Sequence, residues 1–284
     1  MKELVIDTSN LAHACWGAKG YNFAEYKGKR TGHIYGFLLK LLSFHKKMDC
    51  TFVFALDKYP KKTYKIFPGY KANRTKKDFN PVKEVEELIY TIPCVIIYAN
   101  HTEADSAIAS YIKKEGDKNT CIVSADQDLW QLADQTTIVS LKLEKVTKDD
   151  IIKKFGTSNP KKIPIHKSIF GDKSDNIPKL NARIQRKLLT KCIDESPGKS
   201  LKSLYKYIKE GKSDLDLSII EVLLRDRKQI RIFYKIAKLK QNKNIVELVN
   251  KGNKKRFLKI LEKNGIVQSR NTLLKTLFNE RGLK

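Results

Sequence analysis

The sequence lacks any paired-cysteine spacing. Its five cysteines, at 15, 50, 94, 121 and 192, are odd in number and contain no CxxC pair, which argues against both a zinc ribbon and a disulfide frame. Cys94 and Cys121 fall in or beside apolar runs, where a free thiol acts as a small hydrophobe. No apolar run approaches the roughly 20 residues that a membrane span needs, so no membrane association is expected. The first strand-like run starts near the amino terminus and leaves no room for a signal or transit peptide, making the cytoplasm the expected location. The five histidines show no clustered metal spacing, and there is no internal repeat or long low-complexity segment. Acids are also scarce, with 31 Asp and Glu against 57 Lys and Arg and a net charge of +26 over 284 residues. A field of that sign steers polyanions toward the surface. The length and the 41% hydrophobic content suit one folded domain with a helical appendage.

The few acids that are present recur at strand ends. The stretch Glu103 to Leu132 carries Glu103 with Asp105, then Asp126 with Asp128. Between them lie a helix-like run, Ala104 to Glu115, and a strand-like run, Cys121 to Ser124. Leu4-Val5-Ile6 stops at Asp7, the run 51–56 stops at Asp57, and a strand over 94–98 leads to Glu103. Ligands of open α/β sheets sit where strands end and helices begin. A wide apolar pattern over Ile34 to Phe44 suits a helix buried against the sheet. A further helix over 81–91 and a strand over 137–141 complete an alternation that predicts an α/β fold with a mostly parallel central sheet flanked by helices. Asp7 to Asn10 reads as the exit turn of the first strand.

Two regions break the pattern. Residues 58–77 contain eight Lys or Arg, no acid, and four aromatics: Tyr59, Tyr64, Phe67 and Tyr70. Two prolines and a glycine deny this segment a continuous helix, and cations interleaved with rings suit a single nucleic-acid strand. Around 156–164 the strands stop. Everything beyond reads as helical, with apolar periodicity in 184–193, 201–208, 218–237 and 257–261. The division is thus 1–155, α/β with the basic segment, and 156–284, helical. Residues 198–284 hold 23 bases and 8 acids, a net of +15.

Carboxylates at 7, 57, 103, 105, 126 and 128, joined by Asp172 and Asp175 in the run 170–176, are oxygen donors of the kind Mg²⁺ prefers. Phosphodiesterases that use two metals need several of them. Each group alone has a plainer reading: Glu103 and Asp105 as first-turn acids behind a Thr102 cap, Asp172 and Asp175 as turn acids before Pro178. Residues i and i+2 do not face each other on a helix, so Glu103 and Asp105 converge only if Glu103 precedes the helix. The joint pattern is stronger, because eight unpaired acids brought together without metals would repel.

The ordered motifs Asp7-Thr-Ser-Asn-Leu, Leu56-Asp57, Gly69-Tyr70-Lys71-Ala-Asn-Arg74, Glu103-Ala-Asp105, Ser124-Ala-Asp126-Gln-Asp128 and Gly171-Asp172-Lys-Ser-Asp175-Asn-Ile resemble the flap endonuclease/5′ nuclease family. That family includes the 5′ nuclease domain of bacterial DNA polymerase I and phage 5′→3′ exonucleases, and the resemblance covers about residues 3–180. It implies a PIN-like 5′ nuclease architecture and a metal-dependent 5′→3′ nuclease acting on DNA with 5′ ends or flaps and on RNA–DNA primer ends. By the same resemblance, Asp7, Asp57, Glu103 and Asp105 would gather round one Mg²⁺ (or Mn²⁺), and Asp126, Asp128, Asp172 and Asp175 round a second. The segment 58–77 would be the arch through which a 5′ single strand passes, with Lys71 and Arg74 on the scissile phosphate and Tyr70 stacking on a base. The expected protein is a monomer working in phage-type replication or repair, in the host cytoplasm if phage-encoded, with a single-strand-binding or other replication protein as candidate partner. A PIN-type ribonuclease and a non-catalytic nucleic-acid-binding protein on the same fold are the alternatives.

Two departures stand out. Bacterial members and many phage members read Glu-x-Asp-Asp, and here the last position is Ser106. The family's Gly-x-Gly hairpin after the last acid pair is replaced by a glycine-free run, 178–184, which resembles phage replication nucleases of the ribonuclease H kind. Without those glycines, duplex is expected to be held by the side-chain cations Arg183, Arg186 and Lys187 and by the C-terminal helices.

Overall fold

The computed structural model describes residues 2–18, 24–75, 79–116, 119–180, 185–242 and 244–278. In β1 (Lys2–Asp7), Leu4 and Ile6 enter one core cluster and Val5 the other, the alternation of a strand buried on both faces. Asp7 then caps α1 (Thr8–Gly17), its carboxylate accepting from the Asn10 N–H at 3.0 Å. The four residues read as an exit turn therefore start a helix. A small hairpin, β2 (Glu25–Tyr26) and β3 (Lys29–Arg30), leads into α2 (Gly32–Met48), which buries Phe37, Leu38, Leu41 and Phe44. After β4 (Cys50–Ala55), the basic segment forms only a short α3 (Lys61–Ile66), ending before Pro68 and Gly69. Then come α4 (Pro81–Ile89), β5 (Pro93–Tyr98), α5 (Ala104–Glu115), β6 (Thr120–Val123), a 3₁₀ turn over Gln127–Leu132, and β7 (Thr137–Val139).

The main sheet runs β7-β6-β1-β4-β5, with β8 (Val246–Lys251) on the far side of β5. Its first five strands in sequence, β1 and β4–β7, are parallel, so the expected mostly parallel sheet is present. From β1 the chain builds outward in one direction to β4 and β5 and in the other to β6 and β7. That reversal puts the ends of β1, β4, β5 and β6 side by side at the switch point where such sheets bind ligands.

Beyond residue 147, α6 (Lys148–Phe155), α7 (Ile163–Phe170), α8 (Arg186–Glu195), α9 (Leu201–Lys209), α10 (Leu217–Arg225) and α11 (Arg227–Ala237) follow. The periodic stretch 218–237 is two helices, broken at Asp226. Helices α7 to α10 and the start of α11 bury a core of their own around Ile165, Ile169, Leu189, Ile193, Leu204 and Ile230.

The expectation that residues 156–284 are wholly helical is corrected at β8 (Val246–Lys251), which pairs antiparallel with β5. Leu248 and Val249 are both exposed, at 40% and 59%. The alternation that would mark a half-buried strand is therefore missing. Helices α12 (Lys254–Lys263) and α13 (Arg270–Leu277) then return Phe257, Leu261, Leu273 and Leu277 to the core cluster of Leu4 and Ile6.

Candidate active site

The switch point gathers the acids. Asp7 ends β1, and its carboxylate takes hydrogen bonds from Asn10 N–H and from Ser124 Oγ at 3.3 Å. Asp57, two residues past β4, accepts from Ser9 Oγ and from the Ala104 N–H at 2.8 Å. Glu103 is extended (φ −82°, ψ 164°) and precedes the first residue of α5, which meets the condition for convergence with Asp105. Asp126 is also extended and accepts from the Asp128 N–H at 2.8 Å, capping the 3₁₀ turn.

Asp172 and Asp175 arrive from the other side, on a tight loop after α7. Reciprocal backbone bonds between Asp172 and Ile177, at 2.8 and 2.7 Å, close the loop. Gly171 makes it possible, with φ +81° and no room for a Cβ, which would lie 2.8 Å from the Lys179 nitrogen and 2.9 Å from the Ile177 oxygen. The Ser174 N–H and Oγ donate to Asp172 at 2.8 and 2.6 Å. Asp128, Asp172 and Asp175 present carboxylate oxygens all within 4.8 Å of one another.

The loop docks on the basic segment. Asn176 Nδ2 donates to the Gly69 oxygen at 2.8 Å, Asn73 Nδ2 to the Lys173 oxygen at 2.6 Å, and the Lys71 N–H to the Asp175 oxygen at 3.3 Å. These bonds hold Lys71 at φ +55°, left-handed for a residue other than glycine. Such backbone persists only where its surroundings over-determine it. Lys71 Nζ pairs with Glu103 and lies 3.8 Å from Asp175, so it links acids expected at two separate metals. Arg74 is 57% exposed in its side chain and reaches within 4.0 Å of Asp175.

Tyr70 requires a correction. Its ring is 4% exposed and its hydroxyl donates to Glu103, so it is not open to stack on a base. The exposed ring of the segment is Tyr59, at 67%, stacked on Tyr64 with centroids 5.2 Å apart. Arg186 and Lys187 are exposed at the start of α8, where Arg186 lies over the Phe170 ring at 4.9 Å. Arg183 and the rest of 181–184 lie outside the described residues, as do residues 76 and 77 at the end of the basic segment.

Sequence reasoning does not single out Lys167. Its ammonium, almost fully buried, bonds Asp128 and lies 2.6 Å from Asp172. The signal available was a lysine inside the apolar run 163–170, preceding the Gly-Asp turn.

Burial, then the charge of Asp57, pushes Asp7 up to about 7. Burial raises Asp105 well above its ordinary value, reinforced by Glu103 and Asp128. Asp128 rises to about 7 and Asp175 to about 6, burial outweighing the lysine beside each. Burial also opposes ionisation of Asp172, yet Lys167 and Ser174 hold it below the usual carboxylate range. An all-oxygen donor set in which burial and neighbouring carboxylates disfavour the charged forms of Asp7, Asp105, Asp128 and Asp175 fits a hard divalent cation, which would relieve both penalties.

Residues 2–156 match the model of the 5′-3′ exonuclease N-terminal resolvase-like domain. A 5′-3′ exonuclease of Aquifex aeolicus is 35% identical over 162 residues, covering 54% of this chain and 55% of that protein. DNA polymerase I of Caldicellulosiruptor bescii is 32% identical over 203 residues, covering 65% of this chain and 23% of the polymerase. The chain thus spans about half of the first relative and about a quarter of the second. Among solved structures, the bacteriophage T5 flap endonuclease in a complex with DNA and metal ions superposes with a TM-score of 0.63 at 16% identity, covering 98% of this chain and 100% of that one. With more than half its length matched, and with the strand-end acids in place, the chain belongs to the 5′-3′ exonuclease family defined by that N-terminal resolvase-like domain.

Proposed function

We propose that the chain is a divalent-metal-dependent 5′ nuclease that hydrolyses phosphodiester bonds near the 5′ ends and flaps of DNA, including RNA–DNA primer ends, in phage-type replication or repair. The observation that carries this reading is that carboxylates from adjacent strand ends meet those of Asp172 and Asp175 on the loop after α7, with Lys71 set among them. Asp7, Asp57, Glu103 and Asp105 would hold one Mg²⁺, and Asp126, Asp128, Asp172 and Asp175 the other, with Mn²⁺ as substitute. When bound, such a pair supplies an activated water and stabilises the leaving oxygen. Lys71 and Arg74 would meet the charge of the reacting phosphate, and Arg186 and Lys187 the duplex backbone. Ser106, which takes the place of a further acid, leaves this arrangement intact. The protein would act as a monomer, with a single-strand-binding or other replication protein as partner.

End-labelled 5′-flap, nicked, single-stranded and RNA–DNA hybrid substrates, each with and without Mg²⁺, test the reading. It predicts short 5′ products that appear only with the metal. Substrates left intact under both conditions would refute it.

A further inference from the structure

Helix α11 carries a stripe of charge that the proposed chemistry does not use. Its Ile230, Phe233 and Ala237 are buried. On the outer side, Arg227, Arg231 and Lys235 follow at four-residue intervals and Lys238 closes the row, all exposed. Like charges at i, i+4 destabilise a helix by about 0.2–0.5 kcal/mol per pair. Elsewhere the protein offsets this cost. In α8 Lys191 pairs with Glu195, and from α9 Lys206 reaches Glu210, both at i, i+4 and both at 3.6 Å. Among the described residues no carboxylate forms an ion pair with Arg227, Arg231, Lys235 or Lys238.

The stripe borders two clefts, of about 800 and 760 Å³, which share Tyr234, Lys235 and Lys238. Among the described residues no acid lines either one. The second cleft continues through Lys238, Leu239 and Lys240 to the crevice that holds Glu103, Asp105, Asp128 and Asp175. Lys240 sits at that junction, its ammonium disfavoured by burial and supported by Asp105 and Glu103. The basic segment closes the near side, Phe67 packing edge-on against Phe233 at 5.4 Å. A cationic path therefore leads from the carboxylates along the eleven residues of α11, about 16 Å of helix. The loop of Asp172 faces a separate cleft with Asp126, Lys179 and Arg186. The site thus has two basic approaches.

We infer that the α11 cleft binds the single-stranded DNA 5′ of the bond to be cut, with Arg231, Lys235 and Lys238 on consecutive phosphates. Spaced side-chain cations beside Tyr234 match a flexible strand of phosphates and bases, and the path begins at the acids that would act on that strand. The inference rests on the nuclease reading for which strand is bound, but its test does not depend on cleavage.

The triple variant Arg231→Ala, Lys235→Ala, Lys238→Ala changes only exposed side chains. Its binding is compared with wild type across a salt series, with Ca²⁺ replacing Mg²⁺, on a duplex bearing a long 5′ single-stranded flap and on the same duplex with a nick. Each single-strand phosphate contact contributes about 0.7 to the log–log salt slope. The flap slope should therefore flatten by about two, with an affinity loss of roughly tenfold or more at low salt, while the nicked duplex is unaffected. An equal loss on the nicked duplex would place duplex in the cleft and overturn the assignment, and an unchanged flap slope would show the stripe to be merely solvated. Failure of the wild type to cleave any substrate in Mg²⁺ would remove the nuclease reading and leave this binding comparison to decide on its own.

Discussion

Asp7 and Asp57 rest on neutral donors, the hydroxyls of Ser124 and Ser9 and the N–H groups of Asn10 and Ala104. Asp128, Asp172 and Asp175 instead face ammonium groups, those of Lys167 and Lys71. Neutral donors orient a carboxylate without cancelling its charge, so burial and Asp57 carry Asp7 up to about 7. The lysine side is partly balanced from within, enough to hold Asp172 below the usual range but not Asp128 or Asp175. Among the described residues no cationic side chain pairs with Asp7 or Asp57, whereas Asp128, Asp172 and Asp175 carry their own counter-ions. A metal held by Asp7 and Asp57 would meet uncompensated charge, while one held by Asp128 and Asp172 would compete with Lys167.

Asp126 acts electrostatically on both sides, on Asp7 and on Asp128. Asp126→Asn should abolish cleavage, by at least about a thousandfold or roughly 4 kcal/mol in the barrier. Metal-free melting temperature should rise as repulsion is relieved. Undiminished Mg²⁺-dependent turnover would show that Asp126 takes no part in the chemistry. On the balanced side, Lys167→Met strips the counter-ion from two buried carboxylates and should cost about 3–5 kcal/mol of metal-free stability near neutral pH. Saturating Mg²⁺ should return much of it. On the neutral-donor side, Ser9→Ala should cost only about 1 kcal/mol. Denaturant titrations of the two variants measure the contrast directly, and equal losses would erase it. Lys71→Ala should slow single-turnover cleavage by about a hundredfold, the scale of losing one stabilising group at a developing charge. Filter binding should change less, because many other cations share the backbone.

The gentlest test is pH. Asp7 and Asp128 are raised to about 7 and Asp175 to about 6, so the folded protein holds protons that the unfolded chain has already released. Their stabilising contribution is complete below the ordinary carboxylate range and is lost as pH climbs from about 4 to about 7. Asp172, shifted down, runs the other way, as do His33 and His166, whose charged forms burial disfavours, but the four raised carboxylates outweigh them. With EDTA present, stability should therefore decline across that window, and divalent metal should reverse the decline at its upper end. A metal-free protein that gained stability across the same window would contradict these shifts.

Much of this was legible in the sequence because strand ends and helix starts are local. The helix Ala104–Glu115 emerges at its predicted bounds, and with it the placement of Glu103 ahead of the first turn. The docking of 69–74 on 172–176 depends on side chains a hundred residues apart, and no local pattern reports it. The resemblance offers Tyr70 for base stacking, and nothing local among the lysines of 58–77 shows that its hydroxyl finds Glu103 in the crevice. Lys167 escaped notice because a lysine in a helical run is ordinarily a solvated position, and only the fold puts acids around it. The antiparallel β8 was hidden by its exposed Leu248 and Val249, and by a pairing with β5 some 150 residues away in sequence.

The central claim, that these acids form a divalent-metal site and not a structural cluster, is tested most directly by thermal unfolding of wild type and Asp126→Asn at pH 7.5 with EDTA and with Mg²⁺. The account predicts that Mg²⁺ raises the wild-type melting temperature, and that the variant starts higher without metal and gains much less with it. Equal metal-induced shifts in the two proteins, or none in the wild type, would contradict it.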